Sequence, residues 1–292
     1  MLQQKFINFK QQRDLGSILT DTFKFLRLEY KKLFGLVIKI AGPALLAVIA
    51  AYVYYMSTTL GSFGQLGSGP NPFGDFTFNT ILSVILLLIA TMVFYALLYG
   101  TVLHYIKSYV ENNGIVNTSD VMAGVKAKFL SLTGLNFLVG LIVVVGVLFC
   151  ILPGFYFGTV LFSAYAIHVF ENRSVTDSIS HSFELIKNEF WITLATILVV
   201  AMLYYFILMI FNVPQYIYFF IKMFTFAEQS SPDPAEMFDW IYIALTAFAS
   251  LCQHILHTIL VVCGALIYFN LNERKNFTGT LETIDRLGNS QE

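Results

Sequence analysis

Apolar positions in this chain fall into two patterns: long uninterrupted runs, and a shorter striped segment that occurs twice, each time just before such a run. Leu15, Leu19, Phe23, Leu26 and Tyr30 are matched 160 residues later by Val175, Ile179, Phe183, Ile186 and Phe190. Steps of four, four, three and four place each set on one face of an α-helix. The polar positions agree too, Thr22 with Ser182 and Glu29 with Glu189. The pattern predicts an amphipathic helix lying in the cytoplasmic interface and feeding the chain into a membrane hairpin. A weaker copy precedes the third apolar run, with Val121, Val125 and Leu132 aligned to Ile179, Phe183 and Phe190. Asn117 and Lys128 there replace two stripe residues, so whether the repeat has two copies or three stays open in the sequence.

The long runs predict six membrane spans, since about 20 apolar residues cross a bilayer as a helix. They lie near Phe34–Met56, Phe78–Tyr105, Leu130–Leu152, Pro153–Phe170, Phe190–Phe211 and Trp240–Leu271. The third and fourth are parted at Leu152-Pro153-Gly154, because one unbroken helix would be about 60 Å long and Pro-Gly is a strong break signal. The expected fold is therefore all-α: a polytopic membrane protein whose interface helices precede its hairpins as an internal repeat. Residues 1–33 form the N-terminal segment, 34–271 the membrane domain and 272–292 a polar tail expected to be partly disordered. The first 34 residues are too charged for a signal peptide and no small-residue cleavage site follows the first run, so that run is expected to remain as a span. Ser57–Asn79, rich in Gly, Ser and Pro, reads as a flexible outer loop. Gln215–Phe226 reads as a short aromatic helix on the outer leaflet, followed by a turn at Ser230–Pro234.

Composition supports this: 57% of the 292 residues are apolar and 12% charged, against about 25% charged in soluble domains. The net charge of −1 argues against a nucleic-acid partner. Cationic residues fix the orientation. The N-terminal segment carries Lys5, Lys10, Arg13, Lys24, Arg27, Lys31 and Lys32. The later connections on the same side carry Lys107, Lys126, Lys128, Arg173 and Lys187, and the tail Arg274, Lys275 and Arg286. The opposite loops hold Lys222 alone, a bias of fifteen to one that predicts cytoplasmic termini. Tyr52, Tyr54, Tyr55, Trp240 and Tyr242 sit where an outer aromatic belt belongs. Cys150, Cys252 and Cys263 all lie in apolar runs, which favours burial over a disulfide or metal framework.

The stretch from Leu152 to Trp191, LPGFYFGTVLFSAYAIHVFENRSVTDSISHSFELIKNEFW, resembles the membrane domain of bacterial glycerophosphodiester phosphodiesterases and its stand-alone relatives. Shared features are the Pro153-Gly154 break, a short span, an acidic turn at Glu171, a helix centred on Ser182, and Phe190-Trp191. RDLGSILTDTFKFLRLEYKKLF near the start is similar to the N-terminal part of stand-alone members. The resemblance covers most of the chain and implies a fold and a bacterial inner-membrane location. Fused relatives carry catalysis in a separate soluble barrel. This chain has no room for it, nor its acidic metal ligands and His pair, so no active site transfers.

Candidate chemistry is sparse. Gln253, His254 and His257 cluster near the middle of the sixth span, where ionisable residues are functional candidates. They could form a metal pair, proton relay or polar ligand site, or be neutral groups that hold helices together by hydrogen bonds. The second reading is favoured, because no Asp or Glu lies in a span core to complete a site. Lys39, a little over one turn into the first span, fits snorkelling to the interface better than a substrate contact. Pro43, after Gly42, predicts a kink or local opening, which either packing or a transport site could use. His104 and His168 sit near cytoplasmic span ends. Gly154 and Gly158 form a GxxxG motif suited to close helix contact. Three glycosylation sequons, at Asn117, Asn172 and Asn276, fall on the cytoplasmic side and are discounted. There is no P-loop, HExxH, GxSxG or zinc-spaced pattern. No catalytic residue, metal or cofactor is therefore expected. The implied partner is the lipid bilayer, with other membrane or cytoplasmic proteins open. The leading expectation is a non-enzymatic scaffold or anchor for partner proteins, and the alternative a transporter or a lipid- or amphiphile-handling protein.

Overall fold

The computed structural model describes residues 6–63, 78–227 and 238–289. Those residues form helices and connections, with no strand among them. The helices are α1 (Leu15–Phe63), α2 (Phe78–Glu111), α3 (Thr118–Phe149), α4 (Ile151–Leu161), α5 (Ala164–Phe170), α6 (Val175–Ile186), α7 (Phe190–Ala227), α8 (Trp240–Leu256), α9 (Thr258–Asn276) and α10 (Thr278–Asn289). Six segments are long and apolar enough to cross a membrane: Leu15–Thr59, Phe78–Glu111, Thr118–Phe149, Ile151–Phe170, Phe190–Phe226 and Trp240–Asn276. The chain is an all-α, multi-pass membrane protein. Exposed apolar side chains along these helices, such as Leu88, Leu148 and Met202, are what lipid contact requires.

Several boundaries differ from the sequence expectation. The first interface helix and the first span are one continuous helix, α1, and α3 likewise begins at Thr118. Only α6 is separated from its span, by the turn at Lys187-Asn188-Glu189. The break between the third and fourth spans falls at Cys150, in extended conformation (φ −171°, ψ 151°), three residues before Pro153. Pro153 then occupies the first turn of α4, where a missing N–H is not needed. Helices α1 and α7 continue through Pro43 and Pro214. Gln215–Phe226 is thus the end of α7 and not a separate helix, and Ser57–Phe63 is helical. The rest of the first outer loop and the turn at Ser230–Pro234 lie outside the described residues. The sixth span is interrupted at His257, between α8 and α9. The tail, expected to be partly disordered, carries α10, because Glu273 caps that helix by accepting from Gly279 N–H (2.7 Å) and Thr280 N–H (3.0 Å).

One cap spacing and one kind of turn each recur three times among the described residues of the chain. Asp14, Asn117 and Ser174 each accept a backbone N–H at a helix start, from Ser17 (2.7 Å), Ser119 (3.1 Å) and Asp177 (3.1 Å) respectively. Four and eight residues after each cap lie buried side chains: Ile18 and Thr22, Val121 and Val125, Ser178 and Ser182. After α2, α5 and α9 the chain reverses through a left-handed residue: Asn113 (φ 50°), Asn172 (φ 56°) and Phe277 (φ 53°). Segments 15–30 and 175–190 agree in burial at 13 of 16 positions, so the two helices present the same face to the protein. The cap register shifts the third copy by one residue, pairing Val121 with Ser178, not with Ile179.

The chain divides into two compact units. The first comprises Met1–Ala41, Tyr95–Met202 and Thr258–Glu292. Its core is aromatic. Phe9 is fully buried, with its ring against Phe25 of α1 (5.3 Å between centroids), Tyr109 of α2 (6.0 Å) and Phe269 of α9 (5.5 Å). Burying one such ring contributes about 1.5–3 kcal/mol. The backbone of this extended segment is satisfied by side chains: Ile7 N–H donates to the Tyr109 hydroxyl (3.1 Å) and Arg13 N–H to Asn270 Oδ1 (2.7 Å). The buried Arg13 guanidinium donates to Asp21 (2.9 Å) and the carbonyls of Phe9, Gln11 and Asn8. Burial lowers its pKa, while Asp21 opposes that shift.

The second unit comprises Gly42–Phe94 and Leu203–His257. Asp239 organises it. Its Oδ1 accepts from Ile241 and Tyr242 N–H (3.1 Å each) as the N-cap of α8, and its Oδ2 accepts from the Tyr218 hydroxyl (2.5 Å) and pairs with Lys222 (2.9 Å).

Candidate functional site: a polar cleft at the hairpin ends

The left-handed turns bring the ends of α2, α5 and α9 together in the first unit, around a cleft of about 480 Å³. Lys107 and Glu111 come from α2, Glu171 and Arg173 from the turn after α5, and Tyr268, Asn272 and Asn276 from α9. Lys10, His181 of α6 and Glu282 of α10 add to its polar lining. Each position follows from local structure. A left-handed residue at a helix end turns the chain sharply away and leaves the last-turn side chains at the rim. Lys107 accordingly donates to the Val169 carbonyl at the end of α5 (3.4 Å), the negative end of that helix.

Glu171 links three elements. Its Oε1 accepts from the Tyr268 hydroxyl (3.0 Å), and its Oε2 accepts from Arg173 Nε (2.5 Å) and lies 3.7 Å from His181 Nε2. His168 is buried one turn earlier. Its Nδ1 donates to the Arg173 carbonyl (2.8 Å) and its Nε2 lies 2.8 Å from the Ser131 hydroxyl, which closes the turn. Lys10 pairs with Glu282. The cleft thus offers charges of both signs, several already in exchangeable pairs. Such a surface suits recognition of a polar, mixed-charge segment.

The residues singled out in the sequence lie elsewhere. His254 is buried, with Nδ1 donating to the Ser250 carbonyl of its own helix (2.7 Å) and its ring edge-on to Phe94 (5.2 Å). His257 packs edge-on to Tyr204 (6.3 Å), whose hydroxyl donates to the Gln253 carbonyl (3.1 Å). The Gln253 side chain is exposed, so it does not join the two histidines in a buried cluster. Gln253 and His254 are adjacent in α8 and so point about 100° apart, one outward and one into the protein. Among the described residues, no group of three or more His, Cys, Asp or Glu is placed to hold a metal ion. Lys39 is exposed beside a groove of its own, and Pro43 sits inside the unbroken α1. His104 is buried, with Nδ1 donating to the Gly100 carbonyl (2.8 Å).

Sequence reasoning missed Lys107, Glu111, Arg173 and His181 as a site. Each reads as an ordinary polar residue of a helix or its adjoining turn, and only the packed fold brings them together. Comparison with family models, curated proteins and solved structures finds no match.

Proposed function

We propose that this protein is a non-enzymatic scaffold of the bacterial inner membrane, with both termini cytoplasmic, holding a polar segment of a partner protein in the cleft at the hairpin ends. The observation that carries the reading is that cleft: about 480 Å³, lined by charges of both signs from the ends of three hairpins. The fifteen-to-one cation bias supports a cytoplasmic position for Lys107, Arg173 and Arg274, and hence for the cleft. The stretch from Leu152 to Trp191 supports kinship with the stand-alone membrane domains that lack a phosphodiesterase barrel. A transporter would need a polar path through the spans. His254 instead bonds to its own helix and Gln253 faces outward, which favours a packing role for that region.

The test is site-specific photocrosslinking in cells, with the probe at Glu111 or Asn272 in the cleft and at Leu130, an exposed apolar position, as control. The expected result is one protein adduct shared by both cleft positions and absent from the control. Adducts that are identical at all three positions, or no protein adduct from the cleft, would refute the scaffold reading.

A further inference from the structure

The first unit has a second recess, unrelated to the polar cleft and opposite in character. It is a groove of about 480 Å³ with an apolar wall of Ile40 from α1, Leu97 from α2, and Met122, Val125 and Phe129 from α3. Two lysines stand on it, Lys39 and Lys126, one from each outer helix. Both are exposed, and no Asp or Glu lines the groove. Among the described residues neither lysine makes an ion pair. All seven lining residues belong to segments long and apolar enough to span the membrane.

Snorkelling accounts for one lysine near a span end. It does not account for two cations from different helices converging on one apolar, acid-free recess, where each raises the cost of the other. A single anion between them removes that cost. The apolar wall below suits an acyl chain, and the charge above suits a phosphate. From this charge complementarity we propose that the groove binds one anionic glycerophospholipid, its phosphate between Lys39 and Lys126 and an acyl chain along Ile40, Leu97, Met122 and Phe129. The occupant is a membrane lipid, so the site loads from the bilayer and leaves the polar cleft free. The proposal does not depend on the scaffold reading.

The full chain would be reconstituted in vesicles of phosphatidylcholine mixed equally with phosphatidylglycerol, re-extracted in mild detergent, and its retained lipid identified by native mass spectrometry. Two lysines near a membrane surface give roughly tenfold or greater preference for an anionic lipid, so the wild type should retain phosphatidylglycerol by about that factor. Lys39→Gln with Lys126→Gln should abolish the preference, and Lys39→Arg with Lys126→Arg should keep it. Lys31→Gln with Lys32→Gln, on exposed lysines outside the groove, should also keep it. Met122→Trp leaves both charges and fills the groove, and should lose the lipid. Equal retention of the two lipids by the wild type would overturn the proposal, as would an undiminished preference in the double Gln variant or retention by Met122→Trp. Loss in the Lys31/Lys32 control would reduce the effect to general surface charge and overturn it as well.

Discussion

Asp239 shows how one residue can hold a unit together and make its stability depend on pH. Partial burial alone would push its carboxyl pKa up. The bonds from Tyr218, Lys222 and the Tyr242 N–H outweigh that and bring it down to about 2. A depressed carboxylate contributes stability above its unfolded pKa, near 3.9, and loses that contribution as pH falls towards the folded value. Thermal unfolding midpoints in detergent should therefore drop between about pH 4 and pH 2, and Asp239→Asn should flatten part of that drop while lowering the midpoint at neutral pH. A variant with the wild-type pH profile would show that the carboxylate's charge is immaterial. At the same scale, the stripe falls on helical segments whose buried face is centred on hydroxyl side chains. Leu19 and Ile179 are half-buried, and Phe23 is 37% exposed, whereas Thr22 and Ser182 are fully buried. Hydropathy scores a hydroxyl as polar. In a helix the same hydroxyl can satisfy itself, as Thr22 does on the Ile18 carbonyl and Ser182 on that of Ile179 (2.7 Å each), and then it is simply a small buried side chain.

The hairpin of α3 and α4 shows what an element boundary depends on. Length and the Pro-Gly pair place it at Leu152-Pro153-Gly154, and it falls within three residues of Pro153, at Cys150. On either side of the break at Cys150, glycines let the two helices approach closely. A Cβ on Gly146 would meet the Gly154 backbone at 3.2 Å, and one on Gly154 would meet the Val147 backbone at 3.1 Å. Gly158, the other half of the GxxxG pattern, has open space around it. The motif is therefore half used, and the effective pair is 146 with 154. Gly154→Val should destabilise the protein by about 1–3 kcal/mol through forced backbone separation, while Gly158→Val should be nearly neutral. Comparing the two unfolding midpoints tests this, and equal effects would mean that the hairpin does not depend on that contact. The open question of two or three repeats was undecidable from the apolar stripe because Lys128 falls on it. Three helix starts share a side-chain cap and three helix ends a left-handed turn, and these are backbone features that side-chain hydropathy does not encode.

At the scale of the whole molecule, six spans would place both ends of the chain on one side of the membrane, and the cation bias predicts the cytoplasmic one. Lys and Arg near span ends resist translocation, and fifteen of them against Lys222 leave little competition between topologies. The number of spans was legible in the sequence because it follows from apolar runs that need no tertiary contact. The cleft was not, because its lining comes from turns at 113, 172 and 277 that become neighbours only after the helices pack. Orientation therefore decides whether that cleft faces the cytoplasm at all. A cysteine-free background provides the test, with Ala at Cys263, which is fully buried, and Ser at Cys150 and Cys252. A single reporter at Ser68 should react with an impermeant maleimide in intact cells, and one at Ser290 only after permeabilisation. Reaction of the Ser290→Cys variant from outside would invert the topology, and with it the cytoplasmic partner proposed for the cleft.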